Sequence, residues 1–351
     1  MIDLTTKYCG LTLKNPLVIG ASNIVTDVDN LVKLEKAGAA AIVYKSLFEE
    51  QIQLETLHLE QTHDAHSNWD AEHESFFPKM QHGGPAEHLL RLRQARNAIS
   101  IPLIGSLNCI YRDTWVEYAK KMADTGIDAL ELNFYTSEVG FETDPVRLVD
   151  DQVEILQRVS QAISIPVAVK LSPYYTNPLT VIAKMDNAGA KGFVLFNRLF
   201  QPDIDVEKEL HFYPYNFSNE NDNRLALRYA GLLYNQIEGT IISNTGILSG
   251  HDVIKMLMAG ADAVQVVSAV YKKGIPYIEV MLKELEKWME KKNYTSINSF
   301  KGKLSKEDMI DPFAYKRAQY VDIIMRSEVF MQYHPKHGEL NENKDLGKLW
   351  E

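Results

Sequence analysis

The apolar residues of this chain fall into short solid runs, separated by longer stretches of helical spacing. Leu17–Gly20, Ala40–Tyr44, Leu103–Ser106, Ala129–Asn133, Val167–Lys170, Gly192–Phe196, Thr240–Ser243 and Ala263–Val267 read as strands buried on both faces. Between them, Asp27–Ala37, Pro85–Ala98, Asp113–Asp124, Pro145–Ala162, Leu179–Asn187, Asn221–Gln236 and His251–Met258 read as helices, and another runs from Pro276 to about Lys292. The phrase Ala-Gly-Ala closes three of these helices, at Gly38, Gly189 and Gly260, where glycine supplies the left-handed residue after a helix end. Alternating strands and helices require parallel pairing, and eight such units predict a (β/α)8 barrel. The alternative, an open doubly wound sheet, lacks its Gly-x-Gly-x-x-Gly after the first strand. Asp3–Leu13 is expected to be a hairpin that turns near Cys9-Gly10 and plugs one barrel end. The expected partition is a barrel over residues 1–305 and a C-terminal helical extension over 306–351, centred on Asp311–Tyr333.

Glu49–Gly84 breaks the rhythm. This stretch and the residues just beyond it hold six of the ten histidines: His58, His63, His66, His73, His82 and His88. His63-x-x-His66 is half a metal pair, but zinc sets need further Cys, His or carboxylate at fixed spacing, so no metal is expected. A loop this long in a compact domain suggests a lid or an interface.

Composition narrows the classes. A net charge of −10 argues against nucleic acid or an anionic membrane as partner. Two cysteines, Cys9 and Cys109, make neither a disulfide framework nor an iron–sulfur site. Residues 1–7 lack a signal peptide's apolar core, and no apolar run approaches the ~20 residues of a membrane span. A cytoplasmic protein is expected.

Barrel chemistry sits where strands end. Collected there are Ser22, Lys45, Asn108, Asn133, Lys170, Asn197 and the Thr245-Gly246 turn. Lys170 ends an otherwise apolar run, and a cation so placed needs an anion nearby. A flat, carbonyl-rich, anionic cofactor suits such a rim. A flavin places growing negative charge at its N1/O2 edge, which a lysine stabilises, and its phosphate fits a backbone cradle such as Asn244–Gly246 with Val267-Ser268.

With these residues in place, the chain resembles the dihydroorotate dehydrogenase family, and most of all its soluble class 1 members. The likeness runs from Met1 to about Leu304. Asn15-Pro16 with Ala21-Ser22 resembles the first-strand flavin contact, and Tyr44-Lys45-Ser46 resembles Thr-Lys-Ser. Glu131-Leu132-Asn133 matches the opening of the fourth-strand motif, and Val169-Lys170-Leu171-Ser172-Pro173 is similar to Val-Lys-Leu-Pro-Pro. Asn244-Thr245-Gly246-Ile247 resembles Thr-Gly-Gly-Ile, and Phe300-Lys301-Gly302-Lys303-Leu304 is similar to the family's end. The resemblance implies an FMN-dependent enzyme of pyrimidine biosynthesis that oxidises a dihydropyrimidine. It implies cofactor contacts from Ala21, Ser22, Lys45, Asn108, Asn133, Lys170, Asn244, Thr245, Gly246, Val267 and Ser268, and a homodimer.

The departures fall on the substrate side. Where the family has Asn-Leu-Ser-Cys-Pro-Asn, with cysteine as base, this chain has Asn133-Phe134-Tyr135-Thr136-Ser137-Glu138. Thr136 takes the base position with Ser137 beside it, and a hydroxyl relays a proton poorly without an activating neighbour. Glu138 replaces a substrate asparagine and would repel a substrate carboxylate unless protonated, leaving Asn133 and Asn197 as the substrate amides. The catalytic candidates are therefore Thr136, Lys45 and Ser137, with Asn133, Asn197 and Glu138 toward the substrate. Two other readings stay open: a non-catalytic flavin-binding homologue with a redox protein partner, and a lyase using Lys170 as a Schiff base.

Overall fold

Solid apolar runs cannot leave either face in water, and the chain covers both by closing its sheet on itself. The computed structural model describes residues 2–54, 84–135, 144–198, 202–214, 217–310 and 313–325. A hairpin of β1 (Thr6–Tyr8) and β2 (Leu11–Leu13) comes first. The parallel strands are β3 (Leu17–Ile19), β4 (Ala41–Val43), β6 (Leu103–Asn108), β7 (Ala129–Asn133), β8 (Val167–Leu171), β9 (Gly192–Leu195), β12 (Thr240–Ser243) and β13 (Ala263–Val266). They pair in the order β4-β3-β13-β12-β9-β8-β7-β6, and β6 returns to β4 with Ile42 opposite Leu103. This closure makes a (β/α)8 barrel, as the pattern predicted.

A two-residue strand, β5 (Leu47–Phe48), extends the pairing of β6, and a hairpin of β10 (Asp203–Asp205) and β11 (Leu210–Phe212) follows β9. The outer layer comprises α1 (Val28–Lys36), α2 (Pro85–Ala98), α3 (Arg112–Ala123), α4 (Pro145–Ala162), α5 (Pro178–Asn187), α6 (Arg224–Leu233), α7 (Gly250–Ala259), α8 (Ser268–Lys273) and α9 (Tyr277–Lys291). No helix among the described residues is long and apolar enough to cross a membrane.

Strand alternation separates two buried clusters. The outer one packs Leu17, Ile19, Ile42, Leu103, Leu130, Val167, Val169 and Phe193 beneath the helices. The inner one joins Val18, Ala41, Ile104, Ala129, Ala168, Val194, Ile242 and Ala263 to Tyr8, Cys9 and Leu13 of the first hairpin. Alanine at four inner positions leaves room for Tyr8 inside the barrel. The hairpin is tied to the strands' N-terminal ends: Thr6 Oγ1 donates to Asp262 O at 2.6 Å, and Thr240 Oγ1 accepts from Cys9 N at 2.9 Å. The opposite end is left for chemistry.

By internal contacts the chain falls into two compact units, Met1–Asp308 and Met309–Glu351. In the first, the terminal segment is stitched to helices by Leu304 N to Met258 O (2.9 Å) and Lys306 N to Gly231 O (2.8 Å). In the second, the described residues form a short turn, Phe313–Tyr315, and α10 (Arg317–Met325).

Candidate functional site

At the C-terminal rim a cavity of about 170 Å³ is lined from five strand ends: Ala21 and Ser22 after β3, Lys170 on β8, Arg198 after β9, Asn244–Ile247 after β12, and Gln265, Val267 and Ser268 at β13. A larger hollow of about 740 Å³ lies on the outside of α3 and α4, among Asp113, Glu117, Lys120 and Arg158, away from the strand ends where barrels do chemistry.

One end of the cavity is built for an anion. Thr245 and Gly246 both have positive φ, 72° and 73°. Successive residues in this conformation turn their N–H groups to one side. Among the described residues, the N–H groups of Thr245, Gly246 and Ile247 donate to nothing. The turn is held from behind: Asn244 Nδ2 and Thr245 Oγ1 donate to Phe196 O at 3.3 and 3.2 Å, and Asn223 Nδ2 donates to Gly246 O at 3.1 Å. Ser268 Oγ accepts from Ser218 N at 3.1 Å beside it. Arg198 adds a cation to the wall, held by Asp222 and by Phe217 O.

The other end carries Lys170. Its Nζ stands 3.9 Å from Oε1 of Glu131, a carboxylate fully buried inside the barrel. Ser22 Oγ and Gln265 Oε1 are buried without hydrogen-bond partners beside this cavity. Orphaned polar atoms of this kind call for a ligand or a water. A heterocycle rich in carbonyl and N–H groups, carrying a phosphate, matches these donors and acceptors, so the residues present fit a flavin mononucleotide.

Three further candidates form one string. Asn108 Nδ2 donates to Asn133 O at 2.6 Å, and Asn197 Nδ2 donates to Asn133 Oδ1 at 2.7 Å. All three are buried, and they join the ends of β6, β7 and β9. Lys45 follows β4, half-buried, and burial lowers its pKa. It does not line the cavity of Lys170. Near it His88, on α2, is buried with Nε2 unpartnered, and burial and the Lys45 charge push its pKa down to about 4. Thr136, Ser137 and Glu138 lie outside the described residues, as do His58, His63, His66, His73 and His82. Among the described residues no cluster of His, Cys, Asp and Glu is placed to hold a metal ion.

Glu131, Gln265, Arg198 and Tyr8 were not singled out as site residues. A signal existed for the first two, since each is a polar residue in the middle of an apolar strand. Tyr8 has none, because its place depends on the hairpin entering the barrel.

Fold and site define a (β/α)8 barrel with an anion cradle and a partly buried cation on its C-terminal rim. The chain belongs to the dihydroorotate dehydrogenase family, a flavin-dependent family of oxidoreductases acting on CH–CH donors, whose sequence profile matches residues 77–289. It is similar to the dihydroorotate dehydrogenase B (NAD(+)) catalytic subunit of Methanocaldococcus jannaschii, 27% identical over 83% of this chain and 95% of that one. The same subunit of Thermoplasma acidophilum is 26% identical over 86% and 99%. The dihydroorotate dehydrogenase A (fumarate) of Lactobacillus helveticus is 28% identical over 62% of this chain and 72% of its own.

Proposed function

We propose that this oxidoreductase binds FMN and oxidises dihydroorotate, or a related dihydropyrimidine, in pyrimidine biosynthesis. One observation carries the reading: a single cavity has at one end three N–H groups without a partner among the described residues and at the other a partly buried cation. Thr245, Gly246, Ile247 and Ser268 would hold the phosphate, and Ala21, Ser22 and Val267 would line the cofactor's path to Lys170. FMN, when bound, supplies the hydride acceptor.

The chain's own residues do the rest. Lys170 would stabilise the negative charge that reduction adds to the cofactor. Mutual hydrogen bonds fix the amides of Asn108, Asn133 and Asn197, of which Asn133 and Asn197 would meet the substrate and Asn108 the cofactor. Thr136 or Ser137 would move the proton, Glu138 would take the place of a substrate asparagine, and Lys45, which does not line this cavity, would reach the substrate from the end of β4.

The relatives named as catalytic subunits support a partner subunit here, proposed as a redox protein. A homodimer as the core assembly and a cytoplasmic location are part of the same proposal. The barrel of residues 1–305 would carry the catalysis, with residues 306–351 as an appended segment.

The test is the visible spectrum of protein supplied with FMN, followed by anaerobic addition of dihydroorotate. Flavin bands that bleach support the full reading. Bands that persist with dihydroorotate but bleach with another dihydropyrimidine move the substrate, and bands that no dihydropyrimidine bleaches favour a non-catalytic flavin-binding homologue. A protein that takes up no FMN overturns the reading.

A further inference from the structure

Glu131 lies on β7 with its side chain inside the barrel, wholly excluded from solvent. Oε2 accepts from Gln265 Nε2 at 2.6 Å, and the Tyr8 hydroxyl lies 3.5 Å from it. A carboxylate can only accept, so the Gln265 amide is fixed with its nitrogen toward Glu131. Gln265 Nε2 also lies 3.3 Å from the Tyr8 hydroxyl, which closes a buried triangle. Burial and the Glu131 charge both raise the Tyr8 pKa, so this phenol keeps its proton.

The other oxygen, Oε1, has no hydrogen-bond partner and faces Lys170 Nζ at 3.9 Å. An amide at this position would satisfy Gln265 and Tyr8 equally well, without the cost of burying a charge. What only a carboxylate supplies is negative charge behind the lysine that lines the cavity.

We propose that Glu131 is a positioning residue that acts through Lys170, holding its ammonium at the cavity wall and offsetting part of its charge, and so sets the reduction potential of a flavin bound there. The proposal rests on the flavin reading above. Reduction adds negative charge to the ring, which the lysine stabilises and the carboxylate behind it opposes. Tyr8 and Gln265 keep the carboxylate in place, so the N-terminal hairpin has a part in tuning the opposite end of the barrel.

The experiment measures the reduction potential of FMN on the full chain, first in the wild type. Wild-type protein that takes up no FMN sinks the flavin reading itself. On flavin-loaded protein, Glu131→Gln is expected to raise the potential by at least tenfold in the equilibrium between oxidised and reduced flavin, about 30 mV for a two-electron couple. Lys170→Met is expected to lower it. In the Lys170→Met background Glu131→Gln should then add little, because the carboxylate has no ammonium left to hold or to offset. Should Glu131→Gln fail to fold, Glu131→Asp keeps the charge, withdraws it by one methylene and is expected to give a smaller positive shift. An unchanged or lowered potential in whichever of these two variants folds, or additive effects of Glu131→Gln and Lys170→Met, overturns the proposal.

Discussion

Gly246 is the residue on which the anion cradle turns. Its φ of 73° is costly for any residue with a side chain, and a methyl group there would lie 2.5 Å from the Asn223 backbone nitrogen. Backbone cannot yield as a flexible side chain can. Gly246→Ala is expected to cost at least ~2 kcal/mol in urea denaturation and to weaken FMN binding more than tenfold. Unchanged stability would mean that the turn is not held as described. His88 makes a second, pH-dependent case. Its folded pKa is about 4 against an ordinary 6.5, so the native state refuses a proton that the unfolded chain accepts. The sign follows: its contribution is complete above pH 6.5 and is lost as pH falls toward 4. Among the described residues the charge facing it is Lys45, and Tyr44 packs edge-on at 5.5 Å. His88→Phe should lose on the order of 3 kcal/mol less than wild type between pH 7 and pH 4, read from denaturation at each pH. A difference between the two proteins that stays flat with pH would refute this.

Among elements, the segment between β11 and α6 does the most for the site. Asn219 and Asp222 cap each other around a 3₁₀ turn, Glu220–Asn223, which brings Asn223 under the cradle. Asn223 Nδ2 donates to Gly246 O and to Asp252 Oδ1, both at 3.1 Å, and so joins the entries of α6 and α7 to the turn after β12. Asp252 retains Ser249, Lys255 and Leu248 N as donors, so α7 survives without Asn223. Asn223→Ala is expected to cost ~2 kcal/mol and to weaken FMN binding about tenfold, seen in paired melting and flavin titration. Equal FMN affinity would sever this link. The same segment shows what a sequence conceals. β7, β12, α2 and α4 follow the expected bounds to the residue, because proline opens both helices and each strand is a short, mainly apolar run after a glycine. The helix expected from Asn221 instead begins as a 3₁₀ turn and becomes α-helical at Arg224, since the cap absorbs its first residues. β10 and β11 were missed because Ile204 and Leu210 are exposed and carry no burial pattern. Asn108 was expected just past its strand, yet it lies within β6, paired with Phe48 of a two-residue strand too short for any periodicity.

For the whole molecule, rim residues such as Lys170 and Asn133 were legible because a polar residue at the end of an apolar run stands out. The Glu131–Gln265 contact was not, since it joins residues 134 apart through barrel closure. The division at Asp308 leads to a prediction at the same scale. Every element of the cavity lies in Met1–Asp308, and that unit ends with backbone bonds from Gly302, Leu304 and Lys306 to α7 and α6. Ser305 is fully buried there, and Lys301 Nζ holds Asp262 Oδ1 at 2.7 Å. A chain ending at Asp308 retains all of these contacts, whereas one ending before Gly302 keeps Lys301 but loses the three backbone bonds and Ser305. The first is expected to unfold cooperatively, within a few degrees of the full chain, and to bind FMN within about threefold of its affinity. The second is expected to lose several kcal/mol, because Phe300 and Ile297 remain but the segment clamping α6 to α7 is gone. Calorimetry and flavin titration on both truncations would decide. A chain ending at Asp308 that aggregates or loses FMN would show that residues 309–351 belong to the folding unit of the barrel.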